Sequence, residues 1–151
     1  MADAVLSARR LISQQLDVGY PTSTLSLDER DDDAPIRAGY HAPDAPCVGA
    51  DGQPVRLFSL LKEGRWLLLR YEPATRQPAM EARSNLRIIS VGSGVSAELT
   101  DPHGHLRSAY GFAPGDICLI RPDGYIAALT HDERSPGLGG YLTQVGLQDQ
   151  P

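Results

Sequence analysis

Two apolar runs constrain this chain more than any other feature: WLLLRY at residues 66–71 and LRIISV at 86–91. A run with so few polar interruptions suits a strand covered on both faces, because alternation is lost when neither face meets water. The residues between them, 72–85, are too many for a tight hairpin and enough for a crossover, so the two strands are expected to lie parallel. Within that stretch PAMEARSN reads as one short helix. A parallel pair buried on both sides needs layers above and below it, which places the chain among α/β proteins with a central mixed sheet flanked by helices.

The flanking segments supply the rest of the sheet. CVGADGQPVRLFSLL reads as a hairpin with a tight Asp51-Gly52 turn and a second strand ending near Val55. Leu57, Phe58, Leu60 and Leu61 then make a helical turn that Gly64 closes. GSGVSAELTD reads as loop. Asp101-Pro102 marks a helix start, since the carboxylate accepts from free N–H groups and proline loses no hydrogen bond there. Leu106 and Tyr110 share a face of that helix, and Gly111 ends it. DICLIRPDGYIAALT is the clearest hairpin, with Pro122 and Gly124 at the turn. GLGGYLTQVGL finishes the chain as a short helix. The order hairpin, strand, helix, strand, helix, hairpin, helix is similar to the thioredoxin-like arrangement.

Ahead of this domain, residues 37–151, stands an appendage of residues 1–36. Val5, Ala8, Ile12 and Leu16 form one apolar stripe of an amphipathic helix, a candidate interaction surface. The acidic run from Asp28 to Asp33 reads as an exposed connector. The net charge of −5 argues against a nucleic-acid partner, which needs clustered cations. No run is long enough to span a bilayer, and the N-terminus lacks a signal-peptide core, so no membrane partner and a cytoplasmic location are expected.

Reactive residues are sparse. Cys47 and Cys118 form no CxxC and no zinc spacing, and read as reduced, partly buried thiols. Asp101, His103 and His105 stand close in sequence, but residues two apart on a helix diverge, so no metal site is expected. His41 and His131 have no partner visible in the sequence. There is no G-x-S-x-G, and VGSGVSAE lacks a dinucleotide fingerprint.

The stretch AGYHAPDAPCVGADGQPVRLFSLLKEGRWLLLRY resembles the approach to the peroxiredoxin active site. There the long apolar strand runs into a loop P-x-x-x-T-x-x-C, whose cysteine is activated by a helix N-terminus and an arginine. Here Pro73 and Thr75 stand in the loop and no cysteine follows before Cys118. Taken with DPHGHLRSAYG and CLIRPDGYIAALT, the segment more closely resembles the C-terminal thioredoxin-like domain of FAD-dependent aromatic-ring hydroxylases, the phenol and polyketide hydroxylase group. LIRPDGYIA carries most of that likeness. The resemblance implies a domain without thioredoxin cysteines that packs on flavin-binding domains or a second copy. It also implies that FAD and NAD(P)H are held by upstream domains and none by this chain, and it carries no catalytic residue. In this motif Arg121 and Asp123 read as turn geometry.

Two other readings stand beside it. A small-ligand protein on the same scaffold would bring Arg70, Thr75 and Arg76 together in the loop after the strand. A thiol protein would need the α-carbons of Cys47 and Cys118 within about 7 Å.

Overall fold

The computed structural model describes residues 26–30, 34–73, 85–92 and 97–147. Eight strands form one sheet in the order β1-β8-β7-β4-β5-β6-β2-β3. They are β1 (Leu27–Asp28), β2 (Pro46–Gly49), β3 (Pro54–Arg56), β4 (Trp66–Tyr71), β5 (Leu86–Val91), β6 (Leu99–Thr100), β7 (Ile117–Ile120) and β8 (Ile126–Thr130). The two apolar runs are β4 and β5, paired in parallel from Trp66↔Leu86 to Tyr71↔Val91. β7 lies antiparallel on the other side of β4, and β8 antiparallel to β7. This mixed sheet with its terminal hairpin is the thioredoxin-like fold.

The strand period sorts the core into two clusters, one per face. Leu67, Leu69, Tyr71, Cys118 and Ile120 join Leu57 of the 3-10 helix η1 (Leu57–Glu63) and Leu106 and Tyr110 of α1 (His105–Tyr110). Leu68, Ile117 and Leu119 instead meet Leu138, Tyr141 and Leu142 of α2 (Pro136–Gln144). Tyr110 is fully buried, and its hydroxyl donates to Pro43 O at 2.6 Å, so the aromatic body and polar tip are both satisfied.

Three expectations are revised. The helix near Asp101-Pro102 begins at His105, behind Gly104 in a left-handed conformation (φ 70). The Asp101 carboxylate still caps it, reaching forward to Leu106 N at 3.1 Å and Arg107 N at 2.9 Å. The stretch GSGVSAELTD, read as loop over 92–101, contains β6, which bridges β5 and β2.

The acidic run is the third. Its start is no exposed connector: Leu27–Asp28 pairs in parallel with β8, and Arg30 is buried. Asp28 accepts from Arg30 N and Ala38 N, both at 2.9 Å, closing a turn. Arg30 Nη1 donates to Tyr110 O at 2.7 Å and Gly111 O at 3.4 Å, and Nη2 to Ile36 O at 3.0 Å. A cation thus satisfies the carbonyls at the end of α1, where the helix leaves partial negative charge. Charge composition concealed this strap, because only partners far along the chain make a buried arginine favourable.

The N-terminal helix reading and the PAMEARSN helix fall largely outside the described residues.

Two substitutions check the strap. Arg30→Met strands the α1 carbonyls and is expected to cost about 3 kcal/mol. Gly111 has φ 68, and a β-carbon there would sit 2.5 Å from Pro35 Cδ. Gly111→Ala is expected to lose about 1–2 kcal/mol from backbone strain alone, before any clash. Urea denaturation midpoints measure both.

Candidate functional site

The carboxyl edge of β4, β5 and β8 is where open α/β sheets place chemistry. Here it is clamped by the protein itself. Tyr71 N donates to Asp116 O at 3.0 Å, and Gly115 N to Tyr71 O at 2.8 Å. Glu72 then turns with φ 45, the one non-glycine residue at positive φ among those described, and Pro73 follows. Gly92 packs under it: a β-carbon there would lie 3.3 Å from the Glu72 carboxyl carbon.

Arg70 is 1% exposed, inside the central strand. Its Nε donates to Glu133 Oε2 at 2.6 Å and its Nη2 to Oε1 at 3.1 Å, while Nη1 donates to Ser90 Oγ at 2.8 Å. That fork engages both carboxylate oxygens, the geometry in which a guanidinium tolerates burial. The sequence reading that joined Arg70 to Thr75 and Arg76 is only partly addressed: Arg70 turns to Glu133 and Ser90, and Thr75 and Arg76 lie outside the described residues. Val5, Ile12 and Leu16 lie outside them as well.

Beside this pair, Asp116, with a 3% exposed side chain, sits 2.9 Å from Nδ1 of His131, whose ring is 58% exposed. Asp116 also accepts from Ala113 N at 2.9 Å and stands 3.9 Å from Arg30. So His131 does have a partner, which sequence spacing could not show. A cleft of about 400 Å³ opens here between Pro73, Pro114, Gly115 and the His131–Arg134 segment.

The thiols stand away from this edge. Cys47 and Cys118 are both free and buried, on β2 and β7, with β4, β5 and β6 between their strands. Burial pushes the Cys47 thiol up to about 11, with Asp101 and Asp44 adding to the effect. Burial raises Cys118 too. A thiol so disfavoured as thiolate is a poor nucleophile at neutral pH. Among the described residues no three His, Cys, Asp or Glu side chains converge as metal ligands. His103 and His105 do approach, with ring centroids 5.9 Å apart, because the helix begins only at His105.

The two segments that carry the sequence likeness meet at the opposite edge. Asp44 of APDA accepts from Phe58 N at 2.9 Å and from Ala45 N and Arg56 Nε, each at 3.0 Å, tying η1 to the loop before β2. Desolvation would raise its pKa, but the Phe58 N–H and Arg56 outweigh it and hold the carboxyl below its ordinary value. In RPDG, Gly124 N donates to Arg121 O at 2.9 Å and Tyr125 N to Asp123 Oδ1 at 3.2 Å, a turn as expected. His41 packs edge-on between Phe58 and Tyr125, at 5.7 and 5.1 Å.

A family model described as the C-terminal part of aromatic-ring hydroxylases matches residues 36–146. The chain belongs to that family. Among solved structures it is similar to aklavinone-11 hydroxylase in a ternary complex with FAD and aklavinone, at 26% identity and TM-score 0.61. That match covers 85% of this chain and 26% of the hydroxylase. It shares its fold with the flavin-dependent monooxygenase PieE, solved with FAD and substrate, at 21% identity and TM-score 0.62, covering 97% of this chain and 29% of PieE. The chain therefore spans little more than a quarter of either enzyme. A peroxiredoxin-like protein from Aquifex aeolicus shares the fold at 13% identity and TM-score 0.53, over 74% of this chain and 86% of that one. No curated protein matches the sequence significantly.

In this hydroxylase C-terminal domain the carboxyl edge is thus held by an internal ion pair. Glu133→Ala leaves Arg70 buried without its carboxylate and is expected to cost about 3–5 kcal/mol, whereas the double replacement Arg70→Met with Glu133→Leu recovers most of that; denaturant titration of the three chains measures it. Asp44 has a depressed folded pKa, so its contribution is present above its unfolded value near 4 and is lost as pH falls through the folded one. Asp44→Asn is expected to flatten that part of the acid-denaturation curve.

Proposed function

We propose that this chain is a non-catalytic thioredoxin-like module of an FAD-dependent aromatic-ring hydroxylase acting on polyketide-type substrates, and that it serves domain packing or subunit contacts. The observation that carries the reading is the carboxyl edge of β4. Where the fold elsewhere presents a reactive thiol, Pro73 follows the strand, Arg70 is consumed by Glu133, and both cysteines lie buried on other strands. The family supports a hydroxylase setting, and the aklavinone-11 hydroxylase structure is a ternary complex with FAD and aklavinone.

FAD and NAD(P)H belong, in this reading, to companion flavin-binding domains. The start of α2 supports that assignment. A pyrophosphate seeks a helix N-terminus with free N–H groups. At α2 that place is taken: Ser135 caps Leu138 N at 3.4 Å, and the Glu29 carboxylate lies 2.8 Å from Ser135 Oγ. A β-carbon on Gly137 would come within 2.5 Å of Glu29 Oε2, so the glycine makes room for that carboxylate. Among the described residues no helix is long and apolar enough to cross a membrane.

The test pairs two measurements on the purified chain. Calorimetric titration with FAD is expected to show no stoichiometric binding, and light scattering is expected to show a stable complex with flavin-binding domains of this family or a homodimer. Stoichiometric FAD binding, or a monomer at all concentrations that ignores those domains, would overturn the reading.

A further inference from the structure

In the cleft of about 400 Å³ at the carboxyl edge, the exposed ring of His131 is held by the buried carboxylate of Asp116. Nδ1 lies 2.9 Å from Asp116 Oδ1. A carboxylate only accepts, so Nδ1 carries a hydrogen and Nε2, on the exposed side of the ring, is left for a ligand. Asp116 cannot turn away, because Oδ2 accepts from Ala113 N at 2.9 Å and its own N donates to Ala113 O at 3.0 Å.

The segment that carries His131 is fixed as firmly. Thr130 Oγ1 and Ser135 N both donate to Asp132 O at 3.1 Å, and Asp132 Oδ1 accepts from Arg134 N at 2.9 Å. A buried carboxylate that sets the tautomer and aim of an exposed imidazole prepares it to meet a ligand, not to fill a core.

We propose that this cleft binds a phenol, with Nε2 of His131 hydrogen-bonded to the aromatic hydroxyl and the ring lying against Pro73, Pro114 and Ile117.

The chemistry of the walls selects this class. The two prolines offer no N–H that a flat apolar ring would leave unpaired. A phenolic O–H both donates and accepts, so it pairs with Nε2 in either protonation state of the imidazole. The cleft volume lies within the range of roughly 300–1,000 Å³ that small-molecule sites span.

Other classes fit less well. A metal ion would find His131 and Asp132 but no third ligand, since among the described residues no three His, Cys, Asp or Glu side chains converge. A compact dianion such as phosphate would meet the Asp132 and Glu133 carboxylates as well as Arg134. A cationic ligand gains little from Glu133, whose two oxygens already face Arg70. The site is built from this chain's own residues and stands whether or not the domain docks on flavin-binding partners.

The test titrates the full chain, carbon-13 labelled at histidine rings and isoleucine methyls, with para-cresol and with its methyl ether, which keeps the ring and loses the O–H. Para-cresol is expected to shift the His131 and Ile117 signals saturably, with a dissociation constant of about 1 mM. The ether is expected to bind about tenfold more weakly or worse, a comparison that needs no variant. His131→Phe keeps a ring in place and removes both nitrogens; read at Ile117, it is expected to lose about tenfold in affinity for para-cresol while the strand amide signals persist. Equal affinity for the phenol and its ether, or unchanged affinity in His131→Phe, would overturn the proposal. Shifts at His41, His103 and His105 as large as those at His131 would mark unspecific contact and overturn it too.

Discussion

A guanidinium near the carboxyl end of a doubly covered strand sets the terms for one whole edge of this protein. Arg70 cannot be hydrated where it stands, so a carboxylate must be brought to it, and Glu133 arrives on the loop leaving β8. That fixes the path from Thr130 to Ser135, which in turn places the start of α2 and the cap that Ser135 provides. Asp116, next door, joins the end of α1 to the same edge through Arg30 and holds His131 from the other side. The strand ends of this edge are tied by charge pairs.

The same economy explains the two ends of the sheet. At one, the residues that make the family recognisable are structural: Asp44 caps a helix from a distance, Gly124 and Asp123 make a turn, and Ala42 and Ala45 are small because they are buried. At the other, where the peroxiredoxin loop that the sequence resembles would carry its cysteine, the reactive atom is missing. Likeness of motif and likeness of chemistry therefore sit at opposite edges, and inference from fold alone would have chosen the wrong one.

Local physics made much of this legible in advance. The runs at 66–71 and 86–91, the Asp51-Gly52 and Pro122–Gly124 turns and the Leu106/Tyr110 helix face depend on period and turn chemistry, and each stands where the sequence put it. Long-range pairing was not legible. Nothing in ERDDD announces that Arg30 plugs a helix end eighty residues away, nor does HDE at 131–133 announce that its members face Asp116 and Arg70. Short strands such as β1 and β6, two residues each, carry no periodicity to read.

The central claim is that this fold is kept without its thiol chemistry. Its most direct test is hydroperoxide consumption by the native chain with dithiothreitol as reductant. The account predicts a rate indistinguishable from reductant alone, since both thiols are buried and the Cys47 pKa is raised to about 11. A protein-dependent rate that disappears in Cys47→Ser or Cys118→Ser would contradict it.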